Sequence, residues 1–290
     1  MDPGSPQDKP FDRRLRRLRR DRAAAIGADA RYLHRRAADE LAARLDLVTR
    51  PFRAVLDLGC GDAYLTGLLR ARGLDVVAAD AGAAFAKAAV GVQCDEDRLP
   101  FADAAFDLVV SVGALDTVND LPGALALVRR TLKPDGLFLA AFAGAGSLPR
   151  LRSAMRAAEE AQDGAASARI HPQIDVRTAG DLLVRAGFAL PVADCDSVAV
   201  RFPSLAGLVA DLRGMAATNL LAARARQPVS RIGLAAAIAD FAAHADADGK
   251  TMEQFTIIHV SGWAPGPNQP QPARRGSATA SLAEALKPKS

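Results

Sequence analysis

Cysteine is scarce. Cys60, Cys94 and Cys195 are odd in number and far apart, which excludes a disulfide scaffold, a zinc knuckle and a CxxC redox pair. Histidine is also rare, at four residues, and no His/Cys/carboxylate cluster suggests a metal centre, so none is expected. Long hydrophobic runs are absent. The longest uncharged stretch near the middle, Gly136 to Pro149, is interrupted by glycines and too short to span a bilayer, so no transmembrane segment is expected. The basic N-terminal region lacks the apolar core of a secretory signal. Asp2, Asp8, Asp12 and Asp21 argue against a transit peptide, which is poor in acids. A cytoplasmic location is the resulting expectation. What the 290 residues do contain is apolar material, 50% by count, enough for one large domain or two small ones.

The formal charge of +4 is unevenly placed. Residues 11–22, FDRRLRRLRRDR, hold seven Arg and two Asp, a net of +5, which leaves −1 for the other 278 residues. A bound polyanion needs a basic stripe on the folded body. None is evident, so no nucleic-acid partner is expected. The plain reading of this segment is a solvated helix with Phe11, Leu15 and Leu18 on one face.

Periodicity divides the chain. Residues 1–10 are polar and Pro-rich, and read as disordered. Residues 11–48 read as helix, within an N-terminal helical region ending near 50. Short apolar runs then alternate with helical stretches. Strands are predicted at 53–59, 74–80, 106–112 and 136–142, helices at 65–74 and 121–132, and a turn at KPDG (133–136). This alternation implies a parallel sheet covered on both faces. Further helices are expected at 147–162, 178–186, 204–216 and 230–246. Strands are expected at 192–202 and 254–263. The domain is placed at 51–264 with a helical insertion at about 203–250, followed by a tail at 265–290.

VLDLGCGDAYL (55–65) is a strand, a glycine turn and a helix start. Gly59 and Gly61 allow a tight turn and close approach to a ligand. The helix then presents its N-terminal N–H groups. A dinucleotide site needs a third glycine three places after Gly61, where Tyr64 stands, so a nicotinamide oxidoreductase is the least favoured reading. Asp57, just before the turn, would repel a pyrophosphate but suits an ammonium group. Asp80, ending the second strand, suits ribose hydroxyls. Together these fit S-adenosylmethionine.

LDLGCG, Asp80, CDEDRLPF (94–101), FDLVVS (106–111) and LKPDG (132–136) resemble the class I S-adenosylmethionine-dependent methyltransferases in order and spacing. The resemblance implies an α/β fold with a Rossmann-like, seven-stranded, mostly parallel sheet. It implies S-adenosylmethionine as cofactor, with Asp57, Gly59, Cys60, Gly61, Asp80, Asp95, Glu96 and Ser111 as cofactor-binding residues and Leu99 nearby. FDRRL (11–15), VNDLPGAL (118–125), LPRLRSA (148–154), HVSGWAP (259–265) and RRGSA (274–278) resemble one subfamily, the methyltransferase-like proteins of respiratory complex I assembly. That group is similar to the malonyl-carrier-protein methyltransferases. Its mitochondrial member is associated with arginine hydroxylation. Asp116 and Thr117 stand where the subfamily usually has His-Trp. Ala63 replaces an expected glycine and reads as tolerable, differing by one methyl.

Methyl transfer is a displacement at an activated carbon, so the protein mainly supplies geometry, dryness and a base. Asp116, Tyr64 and His171 are the candidate bases. His259 reads as a core histidine, and His34 and His244 as helix surface residues. The first reading is a class I methyltransferase acting on a small-molecule or protein acceptor, possible substrates including a complex I subunit. The others are an arginine hydroxylase or assembly factor of the same fold, and a catalytically silent cofactor-binding protein. The Arg-rich segment either covers the cofactor site or docks a protein partner.

Overall fold

The computed structural model describes residues 9–162, 169–267 and 269. Most of the predicted disordered N terminus (1–10) and of the tail (265–290) lies outside them. The sheet comprises β1 (Ala54–Leu58), β2 (Asp75–Asp80), β3 (Val92–Gln93), β4 (Phe106–Val112), β5 (Leu132–Ala143), β6 (Ala189–Phe202) and β7 (Thr251–Trp263). Their order across the sheet is β3-β2-β1-β4-β5-β7-β6. The first five run parallel, while β7 is antiparallel to both β5 and β6. This is the seven-stranded, mostly parallel sheet the resemblance implied. β3 is only two residues long and carries no apolar run, which is why the sequence pattern missed it.

Helices cover both faces. Strand residues Leu56, Leu58, Val109, Phe138 and Val260 face a layer built on α5 (Leu121–Thr131) and α7 (Val176–Ala186). Val55, Leu108, Val110 and Leu139 face the opposite layer of α2 (Tyr32–Asp46) and α3 (Tyr64–Ala71). Alternate strand residues serve opposite faces, so a two-sided core needs nearly continuous apolar strands, as these are. A short α4 (Ala83–Ala88) follows β2. The predicted KPDG turn is instead an irregularity inside β5. Asp135 adopts φ +60°, and the β4 register shifts between Phe106 and Leu108.

A third apolar cluster forms the cap. It joins α6 (Pro149–Glu160), α8 (Leu205–Gly214) and α9 (Arg231–Ala242) to Phe202, Phe255 and Leu33. The insertion predicted at 203–250 therefore sits over the carboxyl side of β5 and the start of β7. Glu253 in β7 is fully buried and anchors it, accepting the Arg150 and Leu151 N–H groups at the start of α6 at 3.2 and 2.8 Å.

The N-terminal region is not one helix. α1 (Arg13–Ala24) ends before Gly27, and a 3-10 turn (Ala28–Arg31) leads into α2. Asp12 caps α1, accepting from Leu15 N–H at 3.0 Å. The expected solvated character of α1 is wrong. Leu18 is 43% exposed, whereas Arg16 and Arg20 are only 4% and 6% exposed, on one face with Ala23. The acids that this face meets, described below, reverse the amphipathic reading.

Candidate cofactor and acceptor site

The sheet changes direction between β1 and β4, the place where open α/β sheets hold ligands at the carboxyl ends of their strands. The loop after β1 is Gly59-Cys60-Gly61, with φ of +80° at Gly59 and +53° at Gly61. A Cβ on Gly59 would lie 2.4 Å from the Ala114 Cβ, so the chain after β4 packs directly on this turn and only glycine fits. Asp57 lies beneath it, 1% exposed, accepting from Thr66 Oγ1 at 2.6 Å. Burial pushes its carboxyl up to about 6, against the Thr66 hydrogen bond. Burial also raises the Cys60 thiol, whose Sγ lies 3.9 Å from the Gly61 carbonyl.

Asp80 ends β2 with no exposure to solvent. Its carboxylate accepts four hydrogen bonds. Oδ1 takes Arg20 Nε and Gly82 N–H, both at 2.7 Å. Oδ2 takes Arg20 Nη2 at 2.5 Å and Gly61 N–H at 2.9 Å. Burial opposes its ionisation most, but the Arg20 charge and these donors together hold it below the usual carboxylate range. Gly82 permits this approach of α1, because a Cβ there would sit 2.7 Å from the Arg20 Cβ.

The acids after β3 are engaged in the same way. Glu96 receives both terminal nitrogens of Arg16, at 2.7 and 2.8 Å. Arg16 also donates from Nε to Thr117 Oγ1 at 3.0 Å and from Nη2 to the Ala114 carbonyl at 3.1 Å. Asp95 pairs with Arg17 and with Arg13 at 2.8 Å, and Arg13 binds Asp97 at two points, 2.6 and 2.7 Å. Burial raises the Asp95 carboxyl, yet Arg17 and Arg13 bring it net below its ordinary value. The basic segment is thus not a free polycation. Four of its arginines are matched to carboxylates, which removes the remaining argument for a polyanion surface.

Two spaces adjoin this lattice. A cleft beside the glycine turn, bounded by Asp57, Gly59, Gly61, Tyr64, Arg20 and His34, measures about 30 Å³, room for about two waters. A larger cavity of about 260 Å³ lies between the strand ends and the cap, near the lower end of small-molecule sites at about 300 Å³. Its walls carry Asp116, His34, His171, Arg16, Arg20, Arg169, Gln173 and Asn219 among a larger apolar surface that includes Leu33, Met155, Leu212 and Phe255.

The three candidate bases separate here. Asp116 lines the large cavity, and its carboxyl is raised by burial in spite of the Arg16 charge. His171 lines it too, accepting Leu220 N–H at 2.9 Å on Nε2, and its ring meets Phe11 edge-on at 5.2 Å. Burial pushes it down to about 4, so it is neutral. Tyr64 is absent from the cavity wall and donates its hydroxyl to Asp39 at 2.8 Å on the outer side of α2.

Other expectations need correction. His34 is not a surface residue. It faces Gly113 and both spaces, and burial followed by the Arg20 charge pushes it down to about 4. Ser111 is fully buried in β4, lines neither space, and its Oγ has no hydrogen-bond partner among the described residues. Leu99 belongs to the α5–α7 side of the core. His259 is a core residue, 3% exposed, and His244 is exposed, as read. Ala63 is less tolerable than its one extra methyl suggests, since it adopts φ +60°, ψ 22°. Sequence reasoning missed the pairing role of Arg13, Arg16, Arg17 and Arg20. Their i, i+3, i+4, i+7 spacing was the available signal for a single face.

No helix among the described residues is long and apolar enough to cross a membrane, and no group of three metal-ligating side chains occurs among them.

Residues 56–140 match the methyltransferase domain model. Over 287 residues the chain is 33% identical to the mitochondrial arginine-hydroxylase NDUFAF5 of Danio rerio, covering 96% of this chain and 89% of that protein. It is 32% identical over 265 residues to the malonyl-[acyl-carrier protein] O-methyltransferase of Laribacter hongkongensis, covering 84% and 87%. The YcgJ protein of Bacillus subtilis shares the fold, with a TM-score of 0.54 at 15% identity, over 78% of this chain and 98% of that one.

Proposed function

Given that the chain belongs to the class I S-adenosylmethionine-dependent methyltransferases, within the group related to NDUFAF5, we propose that it methylates an acceptor entering the 260 Å³ cavity, with Asp116 as the base. The observation that carries this reading is the position of Asp116. It is a carboxyl raised by burial, on the wall of the 260 Å³ space between the strand ends and the cap. A base with a raised pKa holds a proton more readily at neutral pH and suits proton removal from an acceptor amine or hydroxyl.

S-adenosylmethionine supplies a methyl group already activated on sulfur. The donor set suits it: Asp80 for the ribose, Asp95 and Glu96 for the adenine side, and Asp57 with the Gly59-Cys60-Gly61 turn for the amino acid part. The neutral histidines His34 and His171 and the apolar cap keep water from the acceptor. A small molecule, a carrier-protein acyl group or a protein side chain are the acceptor classes.

A second reading has its own support. The relatives covering 96% of the chain include an arginine-hydroxylase, and hydroxylation of a protein arginine is the corresponding activity. Mass spectrometry of complex I subunits and acyl carrier proteins, from cells with and without the gene, separates the two. Loss of a methyl increment supports methylation, and loss of an oxygen increment supports hydroxylation. For methylation, Asp116→Asn is expected to slow turnover by about 10²–10⁴-fold with cofactor affinity retained. An unchanged rate removes Asp116 as the base.

A further inference from the structure

The ends of β1 and β2 and the segment after β3 carry Asp57, Asp80, Asp95, Glu96 and Asp97, and α1 lays four guanidinium groups over four of these acids. We infer that α1 is a displaceable cover of the cofactor cleft, Arg20 holding Asp80 in the position a ribose would take. The inference rests on the reading above that Asp80 is the ribose acceptor.

Three observations carry it. First, Asp80 has no acceptor capacity left. A carboxylate offers about four lone-pair sites, and Arg20, Gly61 and Gly82 fill four. A ribose diol cannot donate to it until Arg20 leaves. Second, the space beside the glycine turn is about 30 Å³ and Arg20 forms part of its wall, so a nucleoside does not fit while α1 stays in place. Third, the cover is attached like a separable part. Its apolar contacts are small, Leu15 with the preceding Phe11 against Leu220 and Leu221, and Ala23 against Phe85 and Ala216; the rest of its attachment is polar, through the ion pairs and hydrogen bonds such as Arg16 Nε to Thr117 Oγ1 and Ala84 N–H to Asp21 Oδ1. It belongs to neither main core layer.

The physical logic is compensation of charge. Without a partner, Asp80, Asp95, Glu96 and Asp97 would place like charges side by side. Buried charges of this kind need counter-charges. The α1 arginines neutralise the cleft when the cofactor is absent. They also explain the charge asymmetry of the chain, with its +5 in residues 11–22. Arg16 and Arg20 reach into the acceptor cavity wall as well, so moving α1 opens both spaces together.

Calorimetric titration with S-adenosylhomocysteine tests this without turnover, using the full chain, Arg20→Gln and Asp80→Asn. Apparent affinity is reduced by the fraction of molecules in the competent state, so Arg20→Gln is expected to bind about tenfold tighter or more. Asp80→Asn is expected to bind more weakly. If Asp80→Asn binds as well as the unaltered protein, the ribose reading itself fails. If Asp80→Asn weakens binding and Arg20→Gln weakens it too or leaves it unchanged, the ribose reading stands and the cover proposal falls. Hydrogen exchange of the unaltered protein gives a result that needs no variant. Saturating S-adenosylhomocysteine is expected to accelerate exchange of the α1 amides at 13–24. Slower exchange there would mean that α1 closes over the cofactor, which overturns the proposal.

Discussion

Arg20 and Asp80 form a two-point ion pair, Nε to Oδ1 at 2.7 Å and Nη2 to Oδ2 at 2.5 Å, with side chains only 7% and 0% exposed. The two residues are 60 positions apart, one on the first helix and one at the end of β2, so the pair ties the N-terminal segment to the sheet. Arg20 is further sandwiched against Phe85, its guanidinium carbon 5.6 Å from the ring centroid, with Arg31 at the same distance. A planar, delocalised cation is the side chain that tolerates such a place.

Removing one partner of this pair is expected to be costly. Asp80→Asn leaves the Arg20 guanidinium buried without a counter-charge, and such losses amount to about 3–5 kcal/mol. The midpoint of urea unfolding should fall accordingly. The double variant Arg20→Met/Asp80→Asn should recover much of the loss, because no orphaned charge remains and the amide oxygen can still accept from the Gly61 or Gly82 N–H. A double variant no more stable than Asp80→Asn would show that the pair contributes through geometry rather than charge balance.

Ala63→Gly should stabilise the protein. Ala63 opens α3 at φ +60°, a left-handed conformation that costs a residue with a Cβ about 1–2 kcal/mol. Glycine avoids most of this while giving back some unfolded-state entropy, leaving a net gain of about 1 kcal/mol. A lower melting temperature for Ala63→Gly would contradict it.

The contrast between these two sites shows what the sequence made legible. Asp80 was readable because the end of β2, the GxG turn and their 19-residue spacing follow from local pattern alone. Strands with continuous apolar runs, such as FDLVVSV at 106–112, were equally plain. Arg16 and Arg20 were not, because burial of an arginine depends on acids 60 to 80 residues away that periodicity does not register. The segment with Phe11, Leu15 and Leu18 on one face was read as a solvated helix, and tertiary charge pairing buried Arg16 and Arg20 instead. His34 was misread for a similar reason: its neighbours Gly113 and Arg20 come from distant segments. The KPDG residues had the chemistry of a turn, but the β4 and β7 pairings on either side kept them inside β5.

Glu253 should prove structural. Its carboxylate, 0% exposed, accepts the first N–H groups of α6, where a negative charge also suits the helix dipole. Glu253→Leu is expected to cost about 2–3 kcal/mol through unsatisfied donors. Glu253→Gln should cost less, since its amide oxygen still accepts. Equal losses for the two would mean that packing volume rather than capping sets the energy.

Stability should fall as the solution is acidified from about pH 6.5 toward pH 4. His34 and His171 are both pushed from 6.5 down to about 4, chiefly by burial. Their folded pKa lies below the unfolded one, so the unfolded chain binds more protons in this window. The stability they confer is complete above 6.5 and is lost as pH drops toward 4, by up to about 3 kcal/mol each. Asp57 works in the opposite sense. Burial raises it from 3.8 to about 6, so the folded state holds its proton longer, and its contribution is present below 3.8 and lost as pH rises through 6. Two histidines outweigh one carboxyl, and the net slope is a loss on acidification. Urea midpoints between pH 4 and 7 for the unaltered protein, His34→Gln/His171→Gln and Asp57→Asn separate these contributions. The histidine double variant should flatten the profile, and Asp57→Asn should steepen it. Superimposable profiles for all three would show that none of these groups governs the acid limb.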